Sequence, residues 1–245
     1  MTDKKENYRL TRIEEACENN SYPVYFDFFD ERLQMKIEDI IKHYNVQYLF
    51  FGGNENAQRQ MLCIFPDYVA ASDLEWPICS LVFEVKGKLD HRNILGTLMS
   101  LGITRDLIGD IDVSEKWGQI IVNERIADFI VNNLRQINHT NIDLKVKKIG
   151  EILIFERQFE QKEIVIASDR LDGAIGKIFG HSRQLSLDMI RQKKVRLNYQ
   201  EVTKKDCRLA QGDIISLRGK GKARIISMDE KTKKGNIKMI VEIYK

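Results

Sequence analysis

The chain has 245 residues, 43% of them hydrophobic and 31% charged, with a formal net charge of +3. That composition is ordinary for a globular protein of one large or two to three small domains and excludes a wholly disordered chain. No apolar run approaches the ~20 residues that span a bilayer, and the opening Met1-Thr2-Asp3-Lys4-Lys5-Glu6 is charged rather than an apolar signal core, so no membrane partner and a cytoplasmic location are expected.

In chain order, a helix carrying Leu10, Ile13 and Cys17 comes first. Asp30 then caps a helix on which Leu33, Ile37, Ile40, Ile41 and Tyr44 recur at helical spacing. Gln47 to Phe51 and Gln60 to Phe65 read as strands around the turn Gly52-Gly53-Asn54, the second stopping at Pro66. These elements make a helical/β N-terminal unit over residues 1–75. Residues 76–150 follow a different grammar. Ser80 to Val85 alternates as a strand, and Asp90 caps a helix with Ile94, Leu95, Leu98 and Leu101 inward. Leu107 to Val113 and Lys116 to Val122 form a strand pair. Ile126, Phe129, Ile130 and Leu134 lie on a helix, and Ile142 to Val146 is a last strand. The order β-α-β-β-α-β predicts a ferredoxin-like, RRM-like split βαβ domain. RNA-recognition motifs stack bases on strand aromatics, but Lys116 to Val122 lacks the paired aromatics, and Trp117 is expected to be packed. The fold class is therefore α+β. Residues 151–167 form a strand-prone, stiff connector containing Ile152 to Phe155 and Ile164 to Ile166.

The last unit, residues 168–245, carries 19 lysine and arginine residues against 9 aspartate and glutamate, a net of +10, which leaves −7 for the rest. A split of this kind suggests a nucleic-acid-binding module joined to a body of another character. Leu171, Ala174, Ile175, Ile178 and Phe179 form an apolar stripe on a short helix that Gly180 ends. Ser182 caps a second helix. Leu185, Ser186, Met189 and Ile190 are expected to pack inward, while Arg183, Arg191 and Lys194 share a neighbouring arc with Leu187. Short β elements follow: Val195 to Asn198 with a turn at Asn198-Tyr199, a tight turn at Gly212-Asp213, and the loop Arg218-Gly219-Lys220-Gly221-Lys222, whose glycines let its cations approach a polyanion closely. Cys17, Cys63, Cys79 and Cys207, and His43, His91, His139 and His181, are dispersed without ligand spacing, so no metal is expected. Nor does any nucleophile–base grouping mark a catalytic residue or a cofactor.

Residues 170–225 resemble the S-four-type RNA-binding domain, named after ribosomal small-subunit protein four. The resemblance rests on Arg170-Leu171-Asp172, Ser182-Arg183, Val195-Arg196-Leu197-Asn198, Gly212-Asp213 and Arg218-Gly219-Lys220-Gly221-Lys222 in that order. It implies an RNA face along the two helices, with Arg170, Ser182, Arg183, Arg191, Lys193, Lys194 and Arg196, and then Arg218, Lys220 and Lys222, as candidate contacts. Together with Phe51-Gly52-Gly53-Asn54-Glu55-Asn56-Ala57-Gln58-Arg59 and Leu101-Gly102-Ile103-Thr104-Arg105-Asp106-Leu107-Ile108-Gly109-Asp110-Ile111, nearly the whole chain resembles the bacterial YlmH family. Gln58 stands where an acidic residue is expected and Lys222 where arginine is, which removes bidentate phosphate geometry there. The resemblance implies a monomeric, non-enzymatic partner of the large ribosomal subunit that binds ribosomal RNA and tRNA. It would act on stalled subunits carrying peptidyl-tRNA and support alanine tailing of the blocked chain. A ribosome-assembly or cell-division accessory role stays open. A pseudouridine synthase would place its catalytic aspartate at Asp172, but the residues after it leave no room for the catalytic domain.

Overall fold

The computed structural model describes residues 2–244 except 139, 156–158, 205, 233 and 234, so His139 lies outside the described residues. The chain forms two compact units, Met1–Phe155 and Glu156–Lys245. Both are mixed α+β with antiparallel sheets.

The first unit begins with helix α1 (Thr2–Glu18), strand β1 (Val24–Phe29) and helix α2 (Glu31–Ile41). Strands β2 (Gln47–Phe51) and β3 (Gln60–Phe65) complete a three-stranded sheet in the order β1-β3-β2. Asp30 caps α2 as its position implies, accepting from the Leu33 amide at 2.9 Å. The central strand β3 is buried on both faces: Leu62 and Ile64 pack with Ile13, Ile37 and Ile41 from the two helices, while Met61 faces the other way toward Phe28, Ile78 and Ile121. β1 is absent from the sequence reading. Its run Val24-Tyr25-Phe26-Asp27-Phe28-Phe29 carries a register shift between Phe26 and Phe29 that breaks the alternation a strand is recognised by.

Next come β4 (Ile78–Glu84), α3 (His91–Ser100), β5 (Ile108–Val113), β6 (Trp117–Asn123), α4 (Ala127–Asn133), the two-residue strands β7 (Gln136–Ile137) and β8 (Thr140–Asn141), and β9 (Lys145–Lys148). The last main strand thus starts three residues later than the alternation from Ile142 suggests, because β7 and β8 form their own small ribbon. The main sheet runs β5-β6-β4-β9, all antiparallel. Asp90 and Asn93 form a reciprocal capping box at the start of α3. Helices α3 and α4 bury Ile94, Leu98 and Ile130 against Leu81, Phe83, Ile120 and Val122 on one face. Gly118 lies opposite Phe83, where a Cβ would fall 2.2 Å from the ring, so only glycine fits. On the other face Ile121 joins Phe28 and Met61, and the Gln119 amide exchanges hydrogen bonds with the backbone of Leu153 at 2.8 and 3.0 Å. That face is therefore covered by the first sheet and by the segment after β9. Trp117 corrects the packed reading. It starts β6 beyond this covered patch and is 47% exposed. Residues 152–155, strand-prone by composition, form no strand, since Leu153 spends its backbone groups on Gln119.

The second unit begins with β10 (Phe159–Ile166), then α5 (Leu171–Phe179), α6 (Arg183–Arg191), β11 (Val195–Leu197), β12 (Gln200–Glu201), β13 (Ile214–Leu217), β14 (Gly221–Lys231) and β15 (Ile237–Tyr244). Its six-stranded sheet has the order β10-β15-β14-β13-β11-β12. Residues 159–166, inside the stretch read as a connector, pair with β15 over their whole length and so belong to this sheet. The α5 stripe is fully used: Leu171, Ala174, Ile175 and Ile178 pack on Ile190, Val195, Ile215 and Val241. Gly180 leaves α5 in the left-handed region at φ 72°.

Candidate nucleic-acid interface

One buried carboxylate orients two arginines on the cationic surface of the second unit. Asp172 lies in the first turn of α5, and its side chain is 2% exposed. Arg170, just before the helix, reaches it with Nε and Nη2, each at 3.1 Å. Arg183, in the first turn of α6, reaches it from across the helix pair with Nη2 at 2.9 Å. Burial by itself would raise the Asp172 carboxyl. The hydrogen bonds and charges of the two guanidinium groups outweigh it and hold the carboxyl below the ordinary 3.8. The hydrogen bonds and charge of Asp172 in turn raise Arg170. The triplet Arg-Leu-Asp thereby has a physical division of labour. Leu171 enters the core, and Asp172 fixes the orientation of two arginines. Arg183 is the more available of them, with its side chain 68% exposed.

The helix approach that makes this contact possible depends on Gly176. A Cβ there would lie 2.7 Å from the His181 carbonyl and 3.3 Å from the Ser186 hydroxyl. Ser182 is occupied with capping, its hydroxyl accepting from the Leu185 amide at 3.2 Å. Leu185 does not pack inward as its arc implies. It is 42% exposed, because the small Ser186 is what lies against α5. Leu187 borders a shallow groove with Arg191, Thr203, Lys204 and Asp206.

A second group of cations gathers at the far end of α6, about 12 Å along the axis from Arg183. Arg191 pairs at 3.3 Å with Asp188 on the same exposed face. Lys194 donates its amide to the Met189 carbonyl, and Lys193 donates its amide to the Ile190 carbonyl. This is the Schellman pattern, and Lys193 occupies its left-handed position at φ 55°, where glycine is preferred. The chain thus accepts local strain to place an ammonium group beside Arg191 and Lys194. Lys193→Gly should raise stability by up to about 1 kcal/mol while weakening RNA binding. Denaturant melts and RNA titrations of the two proteins measure both effects, and a variant that gained stability without losing affinity would count against a contact role for Lys193.

The remaining candidates divide. The Arg218 amide donates to the Lys194 carbonyl at 2.9 Å, which joins the β13–β14 turn to the end of α6. The flexible part is shorter than the glycines suggest: residues 218–220 form the turn, and Gly221 and Lys222 already belong to β14. Lys222 places its ammonium 4.8 Å from the centre of the Tyr244 ring, across the strand pair. Arg196 points from β11 toward Glu201, 3.9 Å away. Asn198 and Asp213 are structural: the Asn198 amide nitrogen donates to the Asp213 carboxylate at 2.8 Å, and the Asn198 side-chain oxygen accepts from the Ile214 amide at 2.9 Å. Among the described residues no cluster of three or more histidine, cysteine or acidic side chains could hold a metal, and no helix is long and apolar enough to cross a membrane.

Fold and surface together define a mixed α+β protein whose C-terminal unit presents ordered cations along one helix. A family profile described as "Putative RNA-binding domain in YlmH" matches residues 70–151. Ribosome-associated protein quality control protein P2 of Bacillus subtilis (strain 168) is 29% identical over 222 residues, covering 89% of this chain and 86% of that protein. The chain is thus similar to the YlmH family, in residues 70–151 by the profile and over most of its length by the Bacillus subtilis protein. A solved structure, cell division protein ylmH from Streptococcus pneumoniae, is similar in fold, with a TM-score of 0.53 and 20% identity over 62% of this chain and 94% of that one.

Proposed function

We propose that this protein is a non-catalytic, cytoplasmic RNA-holding factor of the ribosome, and that its C-terminal unit supplies most of the affinity as an S-four-type domain. The observation that carries the reading is Arg183: an exposed guanidinium oriented by a buried carboxylate, in a stretch, residues 168–245, of net charge +10. A pre-oriented cation loses less entropy on meeting a phosphate. The cations at both ends of α6 would follow an RNA backbone, fixing register without reading sequence. The relative's name supports placing this activity on ribosomes under quality control. Large-subunit ribosomal RNA and peptidyl-tRNA are the ligands we infer, with the protein holding the tRNA while alanine tails are added.

The strand order β5-β6-β4-β9 around α3 and α4 supports a ferredoxin-like reading of the middle region. Its helix-free face is occupied by Ile121 and Gln119 contacts, so it offers no base-stacking platform of the RRM kind. The profile that matches residues 70–151 is itself described as a putative RNA-binding domain, so any RNA contact made by this region uses a surface other than that face.

Arg183→Ala tests the reading. It should weaken binding to a ribosomal RNA fragment about tenfold, the loss of one charge-assisted contact. Asp172 keeps both bonds from Arg170, so the melting temperature should change little. Arg183→Lys should restore only part of the affinity. Unchanged affinity, or a collapse of the melt, would overturn the assignment.

A further inference from the structure

The first unit holds a cavity of about 560 Å³ at which the two sequence motifs outside the basic module meet. Asp110 of the second motif accepts the Gln58 and Arg59 amides of the first, at 2.7 and 3.0 Å. Arg59 donates to the carbonyls of Ile108 at 2.9 Å and Arg105 at 3.1 Å. Arg105 donates to the carbonyls of Ile108 and Gly109, at 2.7 and 3.0 Å. Arg9 joins them from α1, donating to the Asp27 carbonyl at 2.9 Å and lying 3.9 Å from the centre of the Phe29 ring.

Three guanidinium groups therefore line one cavity, held by neutral carbonyls. Among the described residues none of the three is in an ion pair. Lys5, Arg32 and three carboxylates share the lining: Glu6 is engaged with Arg32 and Lys36, and Asp106 with Lys5. Asp30 accepts from the Leu33 amide, and its charge favours the Arg59 cation. That leaves five cations against three carboxylates around the cavity. Burial, and next the charge of Arg59, push the Arg105 guanidinium down to about 10. Tying carbonyls together requires only donors. Gathering three cations that repel one another leaves a site that an anion would relieve. Phe28, Leu33 and Met99 supply an apolar side to the same cavity, which an inorganic anion would not use. The volume falls within the ~300–1,000 Å³ of small-molecule sites.

We propose that this cavity binds a nucleoside 5′-monophosphate group, free or at the 5′ end of an RNA, with its phosphate on Arg9, Arg59 and Arg105 and its base toward Met99. The site lies wholly within the first unit. The test uses the full chain labelled with ¹³C-methyl methionine and titrated with adenosine 5′-monophosphate, adenosine, or a hexaribonucleotide with a 5′-phosphate or a 5′-hydroxyl. The monophosphate should shift the Met99 methyl signal and bind at least tenfold more tightly than adenosine. Met99→Glu adds a carboxylate at the rim, where Met99 is 47% exposed, so the fold should persist while monophosphate affinity falls at least tenfold. A phosphorylated hexamer that matches or exceeds the mononucleotide, and outbinds its hydroxyl form, assigns the site to RNA ends. A hexamer at least tenfold weaker than the mononucleotide assigns it to free nucleotide. Equal binding of adenosine and its monophosphate would overturn the proposal. So would an unaffected Met99→Glu variant, shifts confined to Met189, Met228 and Met239 of the second unit, or a glutamate hexapeptide that occupies the cavity while the monophosphate does not.

Discussion

Asp172→Ala should destabilise the C-terminal unit by roughly 2 kcal/mol, which for a unit of this size lowers its melting temperature by roughly 8–15 °C. Removing one member of a fully buried ion pair costs more, but both arginines here reach solvent, and that screening discounts the figure. The variant also loses a negative charge, so a purely electrostatic account predicts tighter RNA binding. The structure predicts the reverse. Arg170 and Arg183 lose the carboxylate that orients them, and affinity should fall several-fold. Asp172→Asn, which keeps one acceptor oxygen, should lie between. The pH dependence has a definite sign. Because the folded-state carboxyl is held below its ordinary 3.8, its stabilisation is complete above that value and is lost as pH falls through the lowered folded value. The gap between wild type and Asp172→Ala should therefore be constant at neutral pH and narrow below about pH 3.8. Urea melts from pH 7 to 2.5 would show it, and a gap that widened in acid would contradict the clamp.

Salt should act on RNA binding with a slope set by the cations at the two ends of α6 and the adjoining turn. If Arg183, Arg191, Lys193, Lys194 and Arg218 each neutralise one phosphate, log K should fall against log salt with a slope of about −3.5 to −4.5. Affinity then drops by about two to three orders of magnitude between 50 and 200 mM salt. Arg191 has a competitor in Asp188 at 3.3 Å, a surface pair weak enough for a phosphate to displace.

How much of this was legible in the sequence depended on whether the interaction was local. Asp30, Asp90 and Ser182 sit three residues before the amides they cap, and each was readable from residue type and position. So were the α5 stripe and Gly180. β1 was not, because its bulge interrupts the alternation and Asp27 interrupts its apolar run in order to accept from Asn123 and Arg125 across the first unit. For the interface, charge and motif order located the cations, but not what arranges them. Asp172 meets Arg183 only because α5 and α6 approach closely at Gly176. Trp117 and Leu185 were misplaced for one reason: periodicity tells which residues share a face, not whether another element covers it. The meeting of Arg59 with Arg105 likewise bridges 46 positions that no local pattern connects.

The central claim is that ordered cations on the C-terminal unit carry RNA affinity. Its most direct test is a salt titration of binding to purified large ribosomal subunits, comparing the full chain with its Arg191→Ala, Lys193→Ala, Lys194→Ala triple variant. The three side chains are exposed, so the variant should melt as wild type does. The account predicts affinity lower by at least tenfold at moderate salt and a slope shallower by about two to three units. A folded triple variant with unchanged affinity and unchanged slope would contradict it.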